Sequence, residues 1–201
     1  FDPARYPTRD RHDSVVFLLA GRMLWEKGVD EYVQAARRVL SKSFRAEFRL
    51  LGFLDVDNPQ AISKAEMESI TSTSDITYHG TSDRMEEALS TVDCVVLPSK
   101  YREGTPRILL EAGAMAKIII TTNSPGCRDV VDDGVTGYLC DARNVDDLYE
   151  KMVAVIESDV EARSAMGKKS REHILNNYDE NIVINNYLQA IEDILTKRKA
   201  D

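Results

Sequence analysis

Cys94-Val95-Val96-Leu97-Pro98-Ser99-Lys100-Tyr101-Arg102-Glu103-Gly104-Thr105-Pro106-Arg107-Ile108-Leu109-Leu110-Glu111-Ala112 is the stretch that decides the fold. Its start, residues 94–98, is an apolar run that reads as a buried strand. A polar loop follows, and then a helix start, with Thr105 expected as N-cap and Pro106 at the first helical position. A strand, a polar loop and a helix start together favour an anion, because free backbone N–H groups and the helix dipole point at it. Two carboxylates frame the arrangement, Glu103 in the loop and Glu111 two turns into the helix.

Outward from this stretch the same alternation repeats in both directions. Upstream, residues 14–20 (Ser14-Val15-Val16-Phe17-Leu18-Leu19-Ala20) form a continuous apolar strand broken by Gly21, followed by a helix over 29–41. Tyr32, Val33, Ala36, Val39 and Leu40 make the apolar stripe of that helix at 3.6-residue spacing. A second strand at 48–51, a helix over 60–71, a short strand at 76–78 and a helix over 83–90 lead back to the central stretch, whose helix is predicted over 106–115. Downstream come strands at 118–121 and 138–140, then helices over 145–158, 161–176 and 180–197. Strands alternating with helices predict an α/β, Rossmann-like, doubly wound parallel sheet of about six strands with helices on both faces. Residues 1–13 read as a linker, 14–178 as the ligand-binding domain and 179–201 as a C-terminal helix and tail.

Composition narrows the function. The 201 residues carry a net charge of -8, which argues against a nucleic-acid partner, since such a partner needs a basic face. Three cysteines, Cys94, Cys127 and Cys140, form no disulfide framework, and no C-x-x-C pair marks a zinc site. No apolar run approaches the about 20 residues of a membrane span. Phe1-Asp2-Pro3 carries no initiator methionine, so the chain reads as part of something larger.

Ligands of doubly wound sheets bind at the carboxyl ends of the strands. The loops expected there are 21–28, 52–59, 79–82, 99–105 and 123–128. The first holds two cations, Arg22 and Lys27, a planar fork and a point charge that together suit a pyrophosphate. They can equally be read as solvated surface charges. No G-x-G-x-x-G follows the first strand and no Walker lysine motif is present, so dinucleotide redox chemistry and P-loop phosphoryl transfer lack support. Two carboxylates also fit a glycosidase, but glycoside hydrolysis needs no cationic clamp. Asp55-Val56-Asp57 is formally a D-x-D pattern; ahead of Asn58-Pro59 it reads as a turn and not as a metal site.

Four motifs in order carry a family resemblance: Gly21-Arg22…Lys27-Gly28; Glu103-Gly104-Thr105-Pro106-Arg107-Ile108-Leu109-Leu110-Glu111-Ala112; Pro125-Gly126-Cys127-Arg128-Asp129-Val130-Val131; and Asp133-Gly134-Val135-Thr136-Gly137-Tyr138-Leu139. Together they resemble the C-terminal, donor-binding half of glycosyltransferase family 4, enzymes of the GT-B fold that use nucleotide-sugars. The resemblance implies that Arg22 and Lys27, after Gly21, hold the donor diphosphate and stabilise it as leaving group. It implies that Glu103 contacts the hydroxyls of the transferred sugar and Glu111 those of the ribose. The backbone N–H groups of Gly104, Thr105 and Arg107 would cradle phosphate or sugar, and His79 and Gly80 would line the base. The catalytic set so implied is Glu103, Arg22 and Lys27.

The same resemblance implies a retaining transferase with no metal and no cofactor, the nucleotide-sugar being substrate. Its sugar would be a hexose or hexosamine, UDP-linked, and its acceptor a glycan or lipid-linked glycan. The acceptor-binding domain would be an absent N-terminal half, with the enzyme in the cytoplasm or peripheral at the inner face of the membrane. The last helix would cross to that half, so Ile182, Ile184, Tyr187, Leu188, Ile191 and Leu195 would be left uncovered here and could drive self-association. Two other readings stay open: a nucleotide-sugar epimerase-like or phosphorylase half, and a catalytically silent nucleotide-binding module.

Overall fold

The computed structural model describes residues 1–6, 14–72 and 76–200. The expected linker therefore falls in part outside the described residues; within it, Pro3–Arg5 form one 3₁₀ turn capped by the Asp2 side chain. Six parallel strands follow in the chain: β1 (Val15–Ala20), β2 (Ala46–Leu51), β3 (Ile76–Tyr78), β4 (Cys94–Leu97), β5 (Ile118–Thr122) and β6 (Gly137–Cys140). They lie in the order β3-β2-β1-β4-β5-β6, so the chain winds outward one way from β1, then returns to its other side at β4. The doubly wound sheet read from the sequence is present.

The connecting helices are α1 (Val29–Ser41), α2 (Lys64–Thr71), α3 (Met85–Ser90), α4 (Arg107–Ala114), α5 (Val145–Glu157) and α6 (Val160–Tyr178), and α7 (Glu180–Ala200) closes the chain. Every residue of β1 and β4 is buried, which explains their unbroken apolar runs. Alternate residues feed two cores. Phe17, Leu19, Cys94 and Val96 pack with α1, α2 and α5 on one face; Val16, Leu18, Val95 and Leu97 pack with α3, α4 and α6 on the other. On the first face Phe17 and Phe48 stack at 5.1 Å, and the Tyr32 hydroxyl donates to the Phe17 carbonyl at 3.1 Å, tying α1 to the sheet.

Three helix starts differ from the sequence expectation. The helix expected from residue 60 starts at Lys64, because Ser63 and Glu66 form a reciprocal capping box there. Residues 58–62 instead run beside the loop after β1, with Leu24 and Ala61 bridged and Trp25 N–H on the Gln60 carbonyl at 2.9 Å. The helix expected from 83 starts at Met85, leaving Ser82 and Asp83 in the loop. The third difference concerns the central stretch. Thr105 does not cap; Pro106 is the cap residue, extended at φ -68°, ψ 120°, with no side-chain cap bond. Its carbonyl already accepts the first helical N–H groups, from Leu109 and Leu110, which is what defines a cap. The remaining bounds fall within one or two residues of expectation for the strands and α1 to α6; α7 runs three residues further, to Ala200.

Candidate functional site

Strands β1 and β4 are neighbours from which the chain runs off in opposite directions, so the crevice at their carboxyl ends is the switch point of the sheet. A cleft of about 530 Å³ opens there, lined by Ala20, Gly21, Arg22 and Lys27 from the β1 side, Ser82, Asp83 and Met85 before and in α3, and Leu97, Glu103, Thr105, Pro106, Arg107, Ile108 and Glu111 from the central stretch. That volume suits a small-molecule ligand.

Gly28 sets how closely the two central loops approach. It sits at φ +80°, and a Cβ there would lie 2.0 Å from the Pro98 carbonyl oxygen. The loops are joined by Lys100 N–H on the Glu26 carbonyl at 2.9 Å. This close approach brings Lys27 Nζ to 2.5 Å from Glu103 Oε1, with the side chains only 17% and 11% exposed. The buried Ser99 donates its hydroxyl to the same carboxylate oxygen at 2.9 Å. In α4, Arg107 Nε donates to Glu111 Oε1 at 2.7 Å; Glu111 is sheltered, while Arg107 reaches into solvent. Arg22 is exposed on the cleft wall and pairs with no described acid.

Backbone bonding of α4 starts with Leu109 N–H. The N–H groups of Gly104, Thr105, Arg107 and Ile108 therefore have no protein acceptor among the described residues. Of these, Thr105, Arg107 and Ile108 line the cleft at the positive end of the α4 dipole, while Gly104, expected there, is not part of its wall.

Gly126, part of the third resemblance motif, is a structural partner of this loop, a role its Pro-Gly turn signal does not reveal. Its φ is +85°, and a Cβ would lie 2.2 Å from the Gly104 carbonyl oxygen and 2.3 Å from that of Glu103. Gly126 N–H donates to Asp129 Oδ2 at 2.9 Å, and Tyr178 donates its hydroxyl to the Asp129 carbonyl at 2.5 Å. The Glu103 loop thus rests on a support reaching back to the end of α6.

His79 and Gly80 are not brought to the cleft wall. Gly80 lies at the end of β3, its carbonyl accepting Gly52 N–H at 2.7 Å. His79 pairs through Nε2 with the Thr77 hydroxyl at 2.9 Å and lines a separate small cavity with Arg49. Burial, and then the Arg49 charge, hold its imidazole below the ordinary value. Asp55, in a turn at φ +48°, accepts Lys64 N–H at 3.3 Å, as a turn residue ahead of a helix does. The cleft therefore assembles Gly21, Arg22, Lys27, Glu103, Thr105, Arg107 and Glu111, and adds Ser82, Asp83 and Met85.

This set can hold a ligand that carries phosphate charge beside hydroxyl groups: cations and open N–H donors for the first, two sheltered carboxylates for the second. Residues 3–173 match the family Glycosyl transferases group 1, and the chain belongs to it.

Among curated relatives, it is 33% identical over 180 residues to the N,N'-diacetylbacillosaminyl-diphospho-undecaprenol alpha-1,3-N-acetylgalactosaminyltransferase of Campylobacter jejuni, covering 90% of this chain and 45% of that one. It is 24% identical over 172 residues to the capsular polysaccharide biosynthesis glycosyltransferase CapM of Staphylococcus aureus, covering 86% and 44%. The chain thus spans less than half the length of these relatives. Its fold matches a glycosyltransferase from Rickettsia africae at TM-score 0.79 and 20% identity, over 96% of this chain and 54% of that one. It also matches the C-terminal domain of a glycosyl transferase group 1 protein, LpcC, from Francisella tularensis at TM-score 0.68 and 18% identity, covering 89% and 98%. The fold is that of a GT-B glycosyltransferase domain.

Proposed function

We propose that this chain is the donor-binding half of a retaining glycosyltransferase resembling family 4, which takes a hexose or hexosamine from a nucleoside-diphosphate sugar. The observation that carries the reading is the juxtaposition of Lys27, Glu103 and the open start of α4 in one cleft beside Arg22, which has no acid partner among the described residues. In this reading Arg22, Lys27 and the N–H groups of Gly104, Thr105 and Arg107 take the diphosphate. Glu103 then turns from Lys27 to the sugar hydroxyls, while Glu111 exchanges Arg107 for the ribose. The catalytic contribution of Arg22 and Lys27 is electrostatic: they stabilise charge that builds on the departing phosphate. No metal or cofactor enters this reading. His79 and Gly80 would meet the base only through a ligand reaching past Ser82 towards β3.

The acceptor is proposed to be a glycan, free or lipid-linked, in cell-surface polysaccharide synthesis, and to be held mainly by residues outside this chain. Two relatives support this: one is named for transfer onto a diphospho-undecaprenol carrier, the other for capsular polysaccharide biosynthesis. No described helix is long and apolar enough to cross a membrane. A location inside the cell, at most peripheral to the membrane, belongs to the proposal.

Calorimetric titration of the chain with UDP, GDP and ADP tests the reading. One of the three is expected to give saturable heat that Arg22→Ala and Lys27→Ala each weaken at least about 10-fold. No heat from any of the three, or affinity unchanged by both substitutions, would overturn it.

A further inference from the structure

A second cavity, of about 260 Å³, lies on the far side of the joined β1 and β4 loops and is lined by Trp25, Glu26, Gln60, Lys100, Tyr101 and Arg143. The wall between it and the donor cleft is thin. Glu26 and Lys27 are consecutive, and so are Ser99 and Lys100; in each pair one residue serves the cleft and the other faces the second cavity.

Its chemistry differs from that of the cleft in two ways. First, it has aromatic surface: Trp25 is partly buried against the core, and Tyr101 is 55% exposed. Second, its lysine is not free to meet an anion. Lys100 Nζ lies 2.9 Å from Oε1 of Glu31, a carboxylate only 6% exposed whose other oxygen is buried without a partner. Drawing Lys100 away would leave that carboxylate buried and wholly unpaired. Lys100 and Arg143 are balanced by Glu26 and Glu31, so no net charge favours a phosphate here.

What remains is an aromatic surface ringed by donors (Lys100, held by Glu31, with Arg143 and the Gln60 side-chain amide) and acceptors (Glu26, the Gln60 side-chain carbonyl). Arg143 stands at the rim in the left-handed region, φ +62°, which non-glycine residues keep only where the surroundings hold them there. A pyranose ring matches this: its C–H face packs on an aromatic ring as an apolar patch, and its hydroxyl rim needs donors and acceptors together. The volume lies just below the about 300–1,000 Å³ of ordinary ligand pockets, room for one ring and not for a nucleotide.

We propose that this cavity is a subsite for a neutral sugar ring of the acceptor glycan, adjacent to but separate from the donor cleft. The proposal rests on the glycosyltransferase reading above for the word acceptor; sugar binding at the cavity stands or falls by itself.

Trp25 is the sole tryptophan of the sequence, so its indole N–H gives one resolved signal in a nitrogen-15 spectrum, from a residue that lines this cavity. Methyl α-glucopyranoside and methyl N-acetyl-α-glucosaminide are titrated into the chain, with glycerol as the control for bulk effects. One glycoside is expected to shift that signal saturably with a Kd of about 1–10 mM, and glycerol to leave it unmoved. Tyr101→Ala, at an exposed side chain, is expected to weaken the effect at least about 5-fold while UDP affinity stays within about 2-fold. Arg22→Ala is expected to weaken nucleotide binding at least about 10-fold and leave the glycoside shift intact.

No saturable shift with either glycoside, a shift that survives Tyr101→Ala combined with Arg143→Ala, or a shift lost in Arg22→Ala would overturn the subsite. Failure of UDP, GDP and ADP alike to bind would instead overturn the donor reading, so the two failures are read from different titrations.

Discussion

Lys27 Nζ and Glu103 Oε1 stand 2.5 Å apart across the joint between the β1 and β4 loops, so the lysine on the cleft wall already carries a counter-ion from the protein itself. Ser99 holds the carboxylate from the other side at 2.9 Å. In the proposed reading, a diphosphate competes with Glu103 for the lysine, and a sugar then recruits the released carboxylate.

Glu103→Gln separates these two roles. It removes the internal competitor, so the variant is expected to bind UDP about 3- to 10-fold more tightly than the parent chain, an effect of about 0.7–1.4 kcal/mol. The extra affinity that the parent gains from a sugar on the UDP should disappear. Calorimetry with UDP and with UDP-sugars checks both; weaker UDP binding in the variant would mean that Glu103 does not compete for Lys27.

Gly126→Ala tests the support under the Glu103 loop. Its methyl group would fall 2.2 Å and 2.3 Å from two carbonyl oxygens, at a backbone φ of +85°. A loss of about 1–3 kcal/mol in urea unfolding is expected, with UDP affinity lowered in the material that remains folded. Asp129→Asn at an exposed side chain should lower UDP affinity with little change in stability, because it weakens the acceptor of Gly126 N–H and otherwise only an exposed pair with Arg128. If both variants bind UDP as the parent does, the support has no part in the site.

The buried thiols give an alkaline limb to stability. Burial, and then the Asp147 charge, push Cys140 from an ordinary 9.0 up to about 12. The folded state therefore keeps a proton that the unfolded chain gives up. This contribution is complete below pH 9.0 and is lost as pH rises towards about 12. Urea midpoints measured from pH 8 upward should fall through that window, and Cys140→Ser should make the fall shallower. Burial also raises Cys94 and Tyr32 well above their ordinary values, so the limb should persist in part.

Along α7, Ile184, Leu188, Ile191 and Leu195 repeat at intervals of four, three and four residues and are 49%, 54%, 52% and 52% exposed. A helix that leaves such a stripe uncovered is expected to make the chain self-associate as concentration rises, seen as growing mass in light scattering. Leu188→Lys with Ile191→Lys should restore the monomer. A parent chain that scatters as a monomer at every concentration would refute the expectation.

The fold was legible because its signals are local. Buried parallel strands need unbroken apolar runs, as in Val15–Ala20 and Cys94–Leu97, and amphipathic crossovers need a 3.6-residue stripe, as in Val29–Ser41. The chain's membership of Glycosyl transferases group 1 agrees with what the four motifs resembled. Helix starts were harder to read, since a cap depends on ψ at one residue: Pro106 at ψ 120° took the place expected of Thr105.

By itself, then, the sequence determined the order of strands and helices and the residue types held by each strand-end loop. Local periodicity and turn chemistry suffice for both. Only the tertiary structure decided which charges meet. That Lys27 lies on Glu103 and Lys100 on Glu31, that Gly126 props the Glu103 loop, and that His79 lines a separate cavity from Arg22 are consequences of packing distances between residues far apart in the chain. Those distances are set by close approaches such as Gly28 on Pro98, which no pattern along one strand or helix encodes.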